Sequence, residues 1–173
     1  LSVKELLSRK RNYILSEENF RIVKECMPWL HKIESIITVY DKSLSAKSLY
    51  TILMQELKKN GEFKETESRK IYIPNDQEVI VLAAIDHLSL VRPTEGRSKK
   101  EEMDLISSYL VTLRNMCGIS PLVIMQTNRE SSGMDRRKAG LNNLRITDIK
   151  DTGSPSEDAE VIISIYDPFR DKL

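Results

Sequence analysis

The hydrophobic and polar positions of this chain alternate between runs typical of buried strands and stripes typical of amphipathic helices. The longest run without a polar side chain, residues 79–85, is rich in valine and isoleucine and predicts a strand covered on both faces of a sheet. A second apolar run, at 122–125, predicts another buried strand. Shorter β-rich runs predict strands at 36–39 and 161–165 and a small edge strand at 71–73.

Apolar residues at helical spacing predict helices between these strands. Ser16 and Ser45 are expected to be N-caps, and Ser98 with Glu101 has the spacing of a capping box. Pro28 is expected to bend or end the first of these helices. The helix after Ser98 is expected to end near Gly118 and to bury a stripe formed by Met103, Ile106, Leu110, Leu113 and Met116. Strands that alternate with helices indicate an α/β fold.

The composition narrows the class of protein without identifying it. With 173 residues and 40% apolar content, the chain is long enough to form a single domain over residues 1–173. No apolar run approaches the roughly 20 residues of a membrane-spanning helix, so no membrane partner is expected. The two cysteines lack metal-ligand spacing, which favours a reducing cytoplasm.

The net charge of +1 gives no overall argument for nucleic acid, but the charge is distributed unevenly. Residues 129–150 contain six basic residues against three acidic ones. The basic residues are Arg129, Arg136, Arg137, Lys138, Arg145 and Lys150. A basic loop of this kind is typical of contacts to a phosphate backbone, and a merely solvated loop is the alternative explanation.

Polar side chains stand where two of the predicted buried strands end. Asp86 directly follows the strand at 79–85, and Gln126 directly follows the strand at 122–125. The helix between them is a crossover connection, which makes the strands parallel and brings their carboxyl ends to the same sheet edge. Because open α/β sheets bind ligands at that edge, we expect Asp86 and Gln126 to be neighbours in a ligand crevice. An acid in this position also occurs as the cap of the next turn, and that alternative stays open.

Four segments, taken in order, resemble motifs of the RecA-like motor domain of DnaB-type hexameric replicative DNA helicases, phage versions included. Residues 85–90 look like the family's Walker B strand, in which Asp is usually followed by Tyr-Leu-Gln-Leu. Residues 126–129 look like its Gln-Leu-Asn-Arg, 147–153 like its Ser-Asp-Leu-Arg-Glu-Ser-Gly, and 157–161 like its Gln-Asp-Ala-Asp-Val. The resemblance implies a RecA-like P-loop NTPase core, mainly a parallel sheet flanked by helices, that is incomplete in these residues.

The resemblance also implies roles for individual residues. Asp86 would accept hydrogen bonds from water on a nucleotide-bound Mg²⁺, and Gln126 would sense the terminal phosphate of ATP. The family's DNA loop contains an Arg-Glu-x-Gly segment, which maps onto Lys150, Asp151 and Gly153. The whole protein would be a homo-oligomeric, hexameric ring that couples ATP hydrolysis to translocation on single-stranded DNA and to unwinding. A primase or a helicase loader would be a further partner.

The sequence departs from the family pattern in several places. His87 and Ser89 stand where Tyr and Gln are usual, and Lys150 and Asp151 replace Arg and Glu. No G-x-x-x-x-G-K-[ST] phosphate loop occurs, and the chain stops before the hairpin that carries the family's trans-acting Arg finger. We therefore expect this chain to be an internal portion of a longer ATPase and to be inactive alone. A non-catalytic RecA-like scaffold or loader in a replisome or virion is the alternative function, and a recombination or signalling ATPase is a third.

Overall fold

The computed structural model describes residues 16–67, 70–128, 145–149 and 153–165. By its internal contacts the chain divides into two compact units, Leu1–Lys42 and Ser43–Leu173, which are described separately. Among the described helices, none has both the length and the apolarity needed to cross a membrane.

The described part of the first unit is one helix, α1, followed by extended chain. Helix α1 spans Glu17–Glu34, and the Ser16 side chain caps it by accepting from the Asn19 N–H at 3.2 Å. Pro28 was expected to bend or end this helix, and it does not end it, because a proline removes only one backbone hydrogen bond and the turns on both sides persist. The bend stays a prediction. The strand predicted at 36–39 is also absent. No described segment pairs with these exposed residues, so their β propensity has no ladder to join.

Two capped helices form the framework of the second unit. Helix α2 spans Ala46–Asn60 and begins at the predicted N-cap, Ser45. Helix α3 spans Lys99–Cys117 and opens with the predicted capping box. It ends at Gly118, whose φ of 69° is the left-handed conformation that glycine adopts most readily. Local sequence signals therefore determine the helix ends in this unit.

Among its described residues, the second unit contains two small sheets, each of two strands. Strands β1 (Gly61–Glu65) and β2 (Lys70–Pro74) form an antiparallel hairpin, whereas β3 (Leu82–Ile85) and β4 (Ser120–Val123) are parallel. Strand β2 confirms the small edge strand, but the charged β1 was not predicted from its pattern. The prediction of an α/β fold with parallel strands flanked by helices is confirmed at this coarse level.

The hydrophobic core covers one face of the parallel pair. Ala83 is buried between the strands and the helices, while Leu82 on the opposite face is 63% exposed and Leu122 is 50% exposed. The predicted burial of both faces is therefore wrong for the described residues, because helices cover only one of them. The strand predicted at 161–165 is absent as well, and those residues are exposed coil. Within the part of the chain that the structure describes, the buried apolar residues are Ala46, Leu57, Ala83, Leu88, Val91, Met103, Ile106, Leu110, Leu113 and Ile119.

Glu102, on α3, is a buried charge that fixes the start of α2. Its carboxylate accepts a 2.7 Å hydrogen bond from the backbone N–H of Ala46, the first residue of α2. The N–H and hydroxyl of Thr94 donate to the same carboxylate at 3.2 and 3.0 Å, and Arg97 forms an ion pair with it at 3.7 Å. One carboxylate therefore joins α2, α3 and the loop that precedes α3, and it complements the positive end of the α2 dipole.

Candidate functional site

The candidate site lies at the carboxyl ends of β3 and β4. The last paired residues are Ile85 and Val123, and the pairing continues through Ile124 just beyond β4. The Ile124 N–H donates to the Ile85 carbonyl at 3.0 Å, and its carbonyl accepts from the Leu88 N–H at 3.0 Å. The residues enclosed between these two bonds are Asp86 and His87, which are joined by a cis peptide bond.

Gln126 meets the residue that follows Asp86. The amide nitrogen of Gln126 lies 3.3 Å from Nε2 of His87, and Nδ1 of His87 lies 2.8 Å from the hydroxyl of Ser89. The parallel register is the cause, because it brings the ends of both strands to one edge of the pair. The structure therefore joins the Walker B-like segment to the Gln126 segment through an imidazole.

Asp86 is exposed at this edge, so its carboxylate can reach solvent-borne ligands. An oxygen donor of this kind suits a hard cation that keeps its own water shell. Within the described ranges, no cluster of three or more His, Cys, Asp or Glu side chains could enclose a metal ion directly. Among the described residues, a single carboxylate of this kind would suit a water-mediated contact to Mg²⁺.

The residues that follow Gln126 pair with a second segment, residues 145–149. Thr127 forms an antiparallel bridge with Ile149, and the Asn128 N–H donates to the Asp148 carbonyl at 2.7 Å. The buried Asp148 side chain in turn accepts from the Arg145 N–H at 2.8 Å. Residues 145–149, which begin the segment resembling the family's DNA loop, therefore attach directly to the chain that carries Gln126.

Most of the predicted DNA-contacting residues lie outside the described residues. These are Arg129, Arg136, Arg137, Lys150 and Asp151.

Gly153 is described, and it lies against α3. A Cβ built on Gly153 would be 2.5 Å from the Asp104 Oδ1 and 3.2 Å from the Lys100 Cε. In this structure the lack of a side chain at Gly153 leaves space for Asp104 and Lys100 of α3. This role differs from the close approach to DNA that the resemblance implies.

The short helix α4 (Ser154–Asp158) is held on α3 by polar contacts. The Ser154 N–H donates to Asp104 at 3.1 Å, and the Ser107 hydroxyl donates to the Asp158 carboxylate at 2.6 Å. Arg114 donates to the Asp158 carbonyl at 3.3 Å and pairs with Glu160 at 3.3 Å. Asp104, Ser107 and Arg114 lie on one face of α3, and the sequence analysis missed them because it considered only the apolar stripe of that helix.

Replacing Gly153 by alanine is expected to weaken the docking of α4 on α3 by about 0.5–1.5 kcal/mol, the usual contribution of one hydrogen bond. The new methyl group would displace the Asp104 carboxylate from the Ser154 N–H. Hydrogen exchange of the α4 amides measures the effect directly. In the combined variant with Asp104→Ala, the methyl group has space, so the two effects should be less than additive. Simple additivity would contradict the steric explanation.

Two other features of the second unit do not add to the site. A cleft of about 480 Å³ is lined by Ser45, Ser48, Arg92 and Thr94 at the start of α2. The Ala46 N–H beside this cleft already donates to Glu102, which supplies the negative charge that this helix end favours. Burial raises the pKa of the Cys117 thiol to about 11, so this side chain is protonated at neutral pH and is a poor nucleophile.

No protein-family model and no curated protein matches this sequence.

Proposed function

We propose that this chain is part of an ATP-dependent replicative DNA helicase with a RecA-like core. In such a protein, nucleotide hydrolysis at subunit interfaces drives translocation on single-stranded DNA. The observation that carries the proposal is the meeting of the two polar strand ends, in which Gln126 lies 3.3 Å from the residue next to Asp86. Parallel strands place these side chains where α/β sheets bind nucleotides, and the same segments resemble consecutive helicase motifs.

The two side chains suit different parts of a nucleoside triphosphate. The Asp86 carboxylate would hold water molecules on the metal ion, and the Gln126 amide would contact the terminal phosphate or the water that attacks it. Bound Mg²⁺ would neutralise charge on the phosphate oxygens. Asp86 and Gln126 would supply these two contacts, while no G-x-x-x-x-G-K-[ST] loop occurs in the 173 residues.

The attachment of residues 145–149 beside Gln126 supports a coupling role. The Thr127–Ile149 bridge connects the strand end that carries Gln126 to the start of the segment that resembles the family's DNA loop. A change at the terminal phosphate could move that loop through the bridge, as the coupling of hydrolysis to translocation requires. Lys150, the next residue, would then contact a DNA phosphate as a point charge.

ATP hydrolysis with and without single-stranded DNA, measured on the protein that contains this chain, tests the proposal. We expect DNA to stimulate turnover, and we expect Gln126→Ala to lower the stimulated rate by about tenfold, as for the loss of one orienting hydrogen bond. Gln55→Ala, on the exposed surface of α2, is the matched control and should leave the rate unchanged.

The outcomes of this experiment distinguish a helicase-type ATPase from a non-catalytic scaffold or loader. Stimulated turnover that depends on Gln126 supports a helicase-type ATPase. A protein that binds single-stranded DNA and assembles into rings but never hydrolyses ATP would contradict the proposal and favour a non-catalytic scaffold or loader.

A further inference from the structure

His87 uses both of its ring nitrogens in contacts at the strand ends. Nδ1 lies 2.8 Å from the Ser89 hydroxyl, and Nε2 lies 3.3 Å from the Gln126 amide nitrogen. The ring is half-buried, and its backbone lies between the two hydrogen bonds made by Ile124. The imidazole is therefore restrained at its backbone and at both nitrogens.

With the amide nitrogen of Gln126 toward the ring, as in this structure, the chemistry of the three groups gives the direction of each hydrogen bond. An amide nitrogen can only donate, so Nε2 of His87 must accept from Gln126. A neutral imidazole then carries its proton on Nδ1, and this N–H donates to the oxygen of Ser89. Ser89 thereby stabilises the tautomer in which Nε2 is able to accept.

This direction leaves the carbonyl oxygen of Gln126 without a contact to the ring. One N–H of the amide is engaged with His87, so the carbonyl oxygen and the second N–H of this exposed side chain are left for other partners. Turning the amide over would require the other tautomer of His87, in which Nε2–H donates to the amide oxygen and Nδ1 accepts from the Ser89 hydroxyl, so the tautomer and the direction of the amide change together. An outward carbonyl oxygen can accept a hydrogen bond from water but cannot donate one to a phosphate.

We propose that His87 and Ser89 are positioning residues that hold the Gln126 amide with its carbonyl oxygen outward, so that Gln126 orients the attacking water by accepting a hydrogen bond from it. This inference rests on the proposed function and specifies the part that Gln126 plays in it. Where the resembled motif usually has Tyr and Gln, this chain has His87 and Ser89, and these two residues hydrogen-bond to each other.

Two substitutions of His87 separate positioning from simple packing. In His87→Gln, the amide oxygen can take the place of Nε2 and still accept from Gln126. In His87→Asn, the shorter side chain reaches only the place of Nδ1. We expect His87→Asn to lower kcat by about tenfold with an unchanged nucleotide Kd, whereas His87→Gln keeps most of the wild-type kcat. Equal kcat in the two variants would overturn the positioning role.

The tautomer provides a readout that needs no nucleotide and no turnover. The chain has two histidines, so His31→Gln leaves His87 as its only imidazole. We expect nitrogen NMR at alkaline pH to show the proton on Nδ1, and we expect this preference to fall in Ser89→Ala and in Gln126→Leu. A proton on Nε2, or a tautomer mixture that neither substitution changes, would overturn the hydrogen-bonded unit.

The turnover measurement and the tautomer measurement distinguish failure of the helicase proposal from failure of the inference about Gln126. A correct tautomer together with no turnover in the wild-type protein would disprove the helicase proposal and the catalytic part of this inference, while the Ser89, His87 and Gln126 unit would stand. Normal turnover with the other tautomer would leave the helicase proposal in place and overturn the inference about Gln126.

Discussion

Replacing Glu102 by alanine is expected to lower the free energy of unfolding by about 3–5 kcal/mol, the usual cost of breaking a buried charge network. The substitution leaves the N–H groups of Ala46 and Thr94 without their acceptor and leaves Arg97 without its partner. It also removes the negative charge at the N-terminus of α2. Urea denaturation of the chain measures the loss, which should appear in the transition of the unit that contains α2 and α3.

A neighbouring glutamate on the same helix provides the control. Glu101 is exposed and accepts from the Ser98 N–H at 2.7 Å in the capping box. Replacing Glu101 by alanine should lower the free energy of unfolding much less, because water can accept a hydrogen bond from the exposed Ser98 N–H in its place. Equal losses in the two variants would contradict the role assigned to the buried carboxylate.

The Glu102 network also predicts a pH dependence. Burial raises the pKa of Glu102, but the hydrogen bonds from Ala46 and Thr94 and the charge of Arg97 outweigh burial and lower the pKa below its ordinary 4.5. Because the folded state favours the charged form, this contribution is complete above the ordinary pKa and is lost as the pH falls through the lowered one. The stability difference between wild type and Glu102→Gln should therefore shrink in acid, and a constant difference would contradict the assignment.

Replacing Asp86 by asparagine is expected to lower ATP hydrolysis by roughly 10–100-fold, the range typical of lost partners just outside a metal's ligand shell. The substitution keeps the shape of the side chain but removes the charge that would hold water on Mg²⁺. Since Asp86 is exposed, the fold should be unaffected. Steady-state hydrolysis over a range of Mg²⁺ concentrations should show both a lower rate and a weaker dependence on the metal.

Asp76→Asn is the matched control for this substitution. Asp76 is an exposed aspartate whose side chain accepts from the Glu78 N–H in a turn, and asparagine can make the same contact. Its hydrolysis rate should equal that of the wild-type protein. Full activity in Asp86→Asn would remove this residue from the nucleotide site.

The helix ends were predictable because their signals are local. Ser45 caps α2, and Ser98 with Glu101 forms the capping box of α3, since each cap depends on backbone groups within three residues. The apolar stripe of α3 was predictable for the same reason, because helical periodicity places Met103 and Leu113 on one buried face.

The strands were less predictable because a strand needs a partner that is distant in sequence. The runs at 36–39 and 161–165 have strand-like composition but remain exposed and unpaired among the described residues, whereas the charged β1 pairs with β2. Composition reports the preference of a segment, and pairing is decided by the segments that lie beside it. Burial of a strand likewise depends on its neighbours: β3 is covered on only one face because no described segment packs over Leu82 on the other.

For this protein, the sequence by itself determined the capped helices, the α/β class and the positions of Asp86 and Gln126 at the ends of two apolar runs. Only the tertiary structure showed that Glu102 holds the start of α2, that Gly153 lies against Asp104, and that His87 joins Ser89 to Gln126. The physical reason is the range of the interactions. Caps and periodicity act within a few residues, whereas the contacts of Glu102 with Ala46 and of His87 with Gln126 span 56 and 39 positions and exist only after the chain has folded.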